Sequence, residues 1–332
     1  MSQILNTLPG VAMSVREVTR MVGSMWDDLA STSEQHPLSE FRASQMNVVL
    51  HLGADTEAGE ANERFSQAVA FAQDYPCRLI VLVETEEEDD AKLRGKLFSQ
   101  CYLGQNLRDL CCCEALMLSY PRGLAELVAN QASLWLESDL PVYYWLHRVD
   151  PALLEGAFGS VLKQARRVVH DRGVDGAAYE GLEVVSAERR RDFAFARILG
   201  QRQTIGQMIS AFPPAEIVDG LRHVELRFAP GYRGEAEQLR DWIREALDDC
   251  LRVADREGAV GFSFEALDAA DERTVAMEWS YANHDHGVRW DFTAGTKTGH
   301  FRASLPSGTV EQPVHIEPLT GAKVLAEAFF FG

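Results

Sequence analysis

The chain has 332 residues, with 50 acidic against 32 basic side chains and a net charge of −18. That balance repels phosphate backbones and anionic lipid, so broad nucleic-acid or membrane-surface binding is disfavoured, and it suits solubility or a partner with a basic patch. The length is ample for two domains. No stretch of about 18 apolar residues is present, and Met1 to Gly10 shows no basic region ahead of an apolar run, so a cytoplasmic protein is the expectation.

Residues 14–32 place Val15, Val18, Met21, Val22, Met25 and Leu29 at helical spacing, which predicts an amphipathic helix. A polar connector follows, and 1–39 reads as an N-terminal helical segment. Strands and helices then alternate. Met46–Leu52 (MNVVLHL) and Arg78–Glu84 (RLIVLVE) read as strands around a helix from Glu57 to Gln73. The acidic stretch Glu84–Asp90 reads as a solvated loop. Strands near Lys96–Leu103 and Leu110–Leu118 precede a helix from Arg122 to Leu136. Pro141–Leu146 (PVYYWL), a helix from Leu153 to Ala165, and Arg167–His170 (RVVH) complete the pattern. Such alternation predicts an α/β domain over 40–185, with a mostly parallel, doubly wound sheet.

Beyond Ala187 the pattern changes. Arg191–Phe212 reads as one long helix, stopped by Pro213-Pro214. After the alternating strand Leu221–Phe228 and a helix from Ala236 to Cys250 come strands with no helix between them. They fall at Gly261–Leu267, Thr274–Tyr281, Val288–Phe292 and His300–Leu305, and a closing helix spans Thr320–Phe331. Residues 186–332 are therefore expected to form an α+β domain with antiparallel strands.

The glycines argue against a nucleotide enzyme. No GxGxxG follows the first strand, where His51 to Asp55 (HLGAD) carries one glycine, and no phosphate loop or nucleophile elbow is present. No cofactor is expected. His284-Asp285-His286 offers metal-ligand side chains, but Asn283 and Gly287 beside it favour a hairpin loop, and no metal is expected. His147 and Arg148, with His170, Asp171 and Arg172, follow two predicted parallel strands. Carboxyl ends of such strands are where α/β sheets hold ligands, so these residues are crevice candidates, with loop hydrogen bonding and capping as the alternative. Arg189 to Arg191, with Arg197 and Arg202, form a cluster that suits an anion, a partner's acidic patch or helix carboxylates. There are six cysteines. Without a leader they are expected as reduced, mostly buried thiols, and Cys101, Cys111, Cys112 and Cys113 are the redox candidates.

Five segments share an order and spacing with one known family. Trp135–Trp145 (WLESDLPVYYW) resembles its DLPV…W segment, and Arg167–Asp171 (RVVHD) its following strand end. Asp192–Arg202 (DFAFARILGQR), with Ile205 to Phe212, resembles its DLxWxRLxxWR…F helix. Upstream, Ala70 to Val81 resembles its HPxR helix-to-strand step, and Cys113-Glu114 falls where it has a Cys-Glu strand. Phe195 and Gln201 replace tryptophans of that helix, Tyr75 replaces a histidine, and His147-Arg148 replaces a common Pro-Gly. The family is OpcA, the assembly and activating proteins of glucose-6-phosphate dehydrogenase, and the resemblance covers about residues 45 to 250. It implies a non-catalytic partner of that dehydrogenase in the oxidative pentose phosphate pathway, with thioredoxin a possible second partner. Aromatic and arginine side chains make good interface anchors, so Tyr143, Tyr144, Trp145, Arg197 and Arg202 are the partner-binding candidates. The alternative is a sugar-phosphate enzyme or sensor that uses the crevice.

Overall fold

The computed structural model describes residues 3–21, 44–86, 92–103 and 110–331, with the backbone alone at 3, 101–103 and 110–112. The chain divides into two compact units. One holds the residues up to Phe193 together with those from Gly321 onward, and the other spans Ala194–Thr320.

In the first unit the strands are β1 (Val11–Met13), β2 (Met46–Leu52), β3 (Cys77–Thr85), β4 (Arg94–Leu103), β5 (Leu110–Pro121), β6 (Val142–His147), β7 (Ala165–His170) and β8 (Arg190–Asp192). They form one sheet in the order β1-β4-β5-β3-β2-β6-β7-β8. All neighbours from β5 to β8 run parallel, whereas β4 and β1 extend the β5 edge antiparallel. Numbered along the chain, the six parallel strands lie in the order 3-2-1-4-5-6, the order of doubly wound dinucleotide-binding sheets. Every residue of β2 is buried, as a central strand covered on both faces requires.

Helix α1 (Ala58–Asp74) covers one face with Ala61, Phe65, Ala68 and Phe71. Helix α2 (Ala125–Trp135) covers the other with Val128, Ala129 and Ala132, against Val49, Ile80, Leu116 and Tyr144. The sheet is doubly wound, as the alternation predicted. The closing helix is Ala322–Ala326 followed by a π-helical turn at Glu327–Phe331, and it returns to this first unit.

The second unit contains α3 (Leu199–Ile209), β9 (Leu221–Phe228), α4 (Arg233–Val253), β10 (Gly261–Ala266), β11 (Val275–Tyr281), β12 (Gly287–Thr293), β13 (Thr298–Leu305) and β14 (Gly308–His315). Its sheet runs β10-β9-β11-β12-β13-β14, antiparallel except between β10 and β9. Alternate residues such as Met277, Trp279, Trp290 and Phe301 share a core with Ile205 of α3 and Leu239 and Ile243 of α4. This is the expected α+β arrangement.

Several expected elements differ in detail. The long helix predicted over Arg191–Phe212 is broken. Arg190–Asp192 pairs in parallel with β7 as the sixth parallel strand, a short helix covers Phe193–Arg197, and Ile198 is a turn before α3. Helix 153–165 is two pieces, Pro151–Glu155 and Gly159–Gln164, parted at Gly156. Residues 15–21 are helical as expected, and the rest of the predicted 14–32 helix lies outside the described residues, as does most of the Glu84–Asp90 loop. Among the described residues no helix is long and apolar enough to cross a membrane.

Candidate functional site at the switch point of the sheet

In the parallel part of the first sheet the strand order reverses between β2 and β6. A ligand crevice in such a sheet opens outside the carboxyl ends of those two strands. Here β2 ends at Leu52 before Gly53, and β6 ends at His147 before Arg148. The Gly53 N–H donates to the His147 carbonyl at 2.9 Å. A Cβ on Gly53 would lie 1.8 Å from the Arg148 carbonyl oxygen, so only glycine lets the two strand ends approach this closely. The single glycine of HLGAD therefore serves backbone packing across the switch point.

Arg148 occupies the left-handed region, with φ of 56°, which turns its side chain back over α1. Its Nε and Nη2 donate to Glu60 Oε2 and Oε1 at 3.0 and 2.7 Å. Glu60 also accepts the Glu57 N–H at 3.1 Å, closing the first turn of α1. Hydrogen bonding to Arg148 holds the Glu60 carboxyl down at about 2. A dinucleotide's pyrophosphate would sit at this helix N-terminus. In this chain the first turn of α1 carries a carboxylate, Glu60, that is paired with Arg148. His147 is buried 3.6 Å from Glu60 Oε2, and burial lowers its pKa to about 4, so it is neutral at ordinary pH.

The Arg148 N–H donates to Asp175 Oδ1 at 2.9 Å, and the Asp175 N–H reaches the Asp171 carbonyl at 2.8 Å. Burial raises the Asp175 carboxyl to about 6. Through Asp175 the crevice candidates at the ends of β6 and β7 become one network. Asp171 caps the short helix after β7 by accepting the Gly173 N–H at 3.0 Å. Arg172 pairs with Glu180, and its Nε lies 3.6 Å from Asp192 Oδ2 on β8. His170 is buried edge-on to Tyr179, with its pKa lowered by burial, and the Tyr179 hydroxyl bonds both the N–H and the carbonyl of Val149. These side chains join the strand ends to one another.

The aromatic anchor candidates need correction. Tyr143, Tyr144 and Trp145 are all buried, because β6 lies in the middle of a sheet covered on both faces. Tyr143 packs on Phe329, Trp145 on Phe193, and the Tyr144 hydroxyl lies 2.8 Å from His51 Nδ1. None of the three is placed to reach a partner. His51 also meets the Tyr120 hydroxyl at 2.5 Å through Nε2, and burial alone takes its pKa down to about 3. This His51–Tyr120–Tyr144 group escaped the sequence reading, since a single polar residue in MNVVLHL was its only signal.

Arg197 and Arg202 lie in the second unit, half-buried. Arg197 pairs with Glu235 of α4, the helix-carboxylate alternative for this cluster. The Arg202 guanidinium lies 3.6 Å over the Phe195 ring. Cys113 is buried, and the backbone register sets Cys101 of β4 opposite Cys112 of β5, and Tyr102 opposite Cys111. At His284-Asp285-His286 the chain turns between β11 and β12, and among the described residues no group of three His, Cys, Asp or Glu is placed to hold a metal.

Residues 68–185, from the second half of α1 through β7, match the family model described as glucose-6-phosphate dehydrogenase subunit N-terminal domain. This stretch of the sheet domain is similar to the OpcA family. The match takes in α2, β6 and β7, and so the Arg148, Asp175 and Tyr179 side of the switch point. Gly53, His51 and Glu60 precede it, and the second unit lies outside it. No curated protein matches the chain. The six parallel strands of this sheet have the order of a dinucleotide-binding fold, and the Glu60–Arg148 pair lies at the first turn of the helix after its first strand.

Proposed function

We propose that the chain is a non-catalytic assembly factor that binds glucose-6-phosphate dehydrogenase, favours its active oligomer and raises its activity in the oxidative pentose phosphate pathway. The observation that carries this reading is the OpcA match of the sheet domain, whose family model is described as a subunit of that enzyme. The clamp at the switch point supports it. An ion pair and a glycine-dependent strand contact hold the position where a coenzyme would bind.

Activation without catalysis requires tighter binding to the active state of the partner than to the inactive one. A tenfold gain in activity needs about 1.4 kcal/mol of such difference. With the β6 aromatics buried, Arg197 and Arg202 are the proposed contact residues that remain. Arg202 is held over the Phe195 ring and by a 3.4 Å hydrogen bond from its Nη2 to the Phe195 carbonyl, and arginines held in this way are common interface anchors. Redox control, with thioredoxin as a possible partner, has one support. Residues directly opposite on antiparallel strands lie about 4.5–5.5 Å apart at Cα, within disulfide range, and Cys101 and Cys112 hold such positions. A sugar-phosphate site at His147, His170, Asp171 and Arg172 has less support, since the network of ion pairs and caps there already engages those strand ends.

The test is sedimentation of the purified chain with its host's dehydrogenase, followed by activity assays at varied sugar phosphate. A complex at micromolar concentration, with activity that Arg202→Ala lowers severalfold, is expected. Free sedimentation of both proteins and unchanged kinetics would remove the proposal.

A further inference from the structure

We propose that the outer face of the second unit's sheet carries a binding site for a hydroxylated phosphate monoester. Two adjoining rows of side chains build it. Register places Ser280 opposite Gly287 and Gly287 opposite Ser304, so three small residues lie side by side across β11, β12 and β13. The next row outward is Glu278, Arg289, Arg302 and Glu311, again in direct register. Met277, Trp279, Trp290 and Phe301 alternate with these positions and are buried, so both rows face away from the core. The small row forms a floor, the charged row forms one wall, and the His284–His286 turn forms the other. The resulting concavity is about 430 Å³, within the size range of a small-ligand site.

The two arginines in this row are unequally paired with the glutamates that flank them. Like charges directly opposite on neighbouring strands repel, yet Arg289 faces Arg302. Arg289 is engaged by Glu278 Oε1 at 2.7 and 3.0 Å. The Arg302 guanidinium has its carboxylate neighbour Glu311 at 3.7 Å, beyond hydrogen-bond distance. A phosphate dianion between the two guanidiniums would turn that repulsion into two charge-assisted contacts. The remaining lining is of another kind. Ser280, Ser304, Glu278 and Asp285 offer hydroxyl donors and carboxylate acceptors, which suit alcohols and do not suit a bare polyanion. With a net charge of −18 the chain does not attract anions as a whole, so affinity has to come from this local pair. A ligand that joins one phosphate to several hydroxyls, at about hexose size, satisfies both walls.

The proposal does not depend on the dehydrogenase reading and is tested without that enzyme, by isothermal titration of the full chain. A hexose monophosphate is expected to bind with a Kd below about 1 mM, and the free hexose to give no heat at about 10 mM. Arg302→Gln is expected to weaken binding at least about tenfold. Gly287→Val is expected to abolish it by filling the floor. A Cβ at Gly287 approaches nothing nearer than the Trp279 carbonyl at 3.7 Å, so the strand accepts a side chain, and unchanged thermal midpoints confirm this. Absence of heat from the ester, equal binding of the free hexose, or full affinity in folded Arg302→Gln would each overturn the assignment.

Discussion

At the residue scale, three residues shape the switch point of the sheet. Gly53 lets the strand ends meet, Glu60 puts a carboxylate in the first turn of α1, and Arg148 pairs with it. The same region also makes the fold sensitive to acid. His147 and His51 have folded pKa values near 4 and 3, depressed by burial from 6.5. A group with a depressed folded pKa adds stability above its unfolded value. That increment is lost as pH falls through 6.5 towards the folded value, because the unfolded chain takes up the proton first. Each histidine then costs up to about 1.4 kcal/mol per pH unit inside its window. Replacing His147 by Asn removes one proton from the slope and keeps a polar group of similar size. The thermal midpoint of His147→Asn is therefore expected to fall less between pH 7 and pH 5 than that of the parent. Parallel pH profiles for the two proteins would contradict the burial of a neutral His147.

At the scale of elements, what the sequence revealed tracks burial. β2, β3 and β6 were legible because central strands of a covered sheet are apolar throughout, and α1 and α4 because one face of each is apolar. β1 and β8, of three residues each, and β14, exposed and carrying Pro313, have no such pattern and were missed. The reversal of strand order between β2 and β6, which defines the site, depends on pairing between residues far apart in sequence, and no local pattern encodes it. Buried charges were equally hidden. Lys96 of β4 is an example, since its Nζ donates to the carbonyls of Leu5, Asn6 and Leu8 at 2.8, 3.4 and 2.7 Å. It thereby caps the C-terminal end of the Gln3–Thr7 helix and fixes the chain just before β1. Lys96→Met keeps most of the aliphatic stem and leaves those carbonyls without their donor, at a cost of about 1–3 kcal/mol. Amide exchange of residues 4–13 is expected to accelerate at least tenfold, with β2 and β3 unchanged. Equal protection of the segment in both proteins would show that Lys96 does not hold it.

At the scale of the whole molecule, the sheet domain is built from two stretches far apart in sequence, the residues up to Phe193 and those from Gly321 onward. Val324, Leu325, Ala328 and Phe329 are buried in the first unit, although an entire second unit lies between them and β8. The Phe329 ring meets Phe71 of α1 edge-on at 5.4 Å and Tyr143 of β6 at 5.0 Å, while Phe330 packs on Tyr75 at 5.0 Å. Burial of each large apolar side chain is worth about 1.5–3 kcal/mol, so the returning segment contributes a large share of a stability that is typically about 5–15 kcal/mol. Deleting residues 321–332 leaves Phe71 and Tyr143 without that cover. Amides of α1 and β6 are then expected to exchange far faster in the deleted chain, and Phe329→Ala to produce about 3–5 kcal/mol of the same effect. The strands β11 to β13 belong to the other unit and carry their own core, so their protection is expected to stay as it was. Loss of protection confined to the α1 and β6 side would mean that the sheet domain closes only once residues 321–332 are in place. Equal protection of α1 and β6 with and without the segment would mean that the domain is complete at β8.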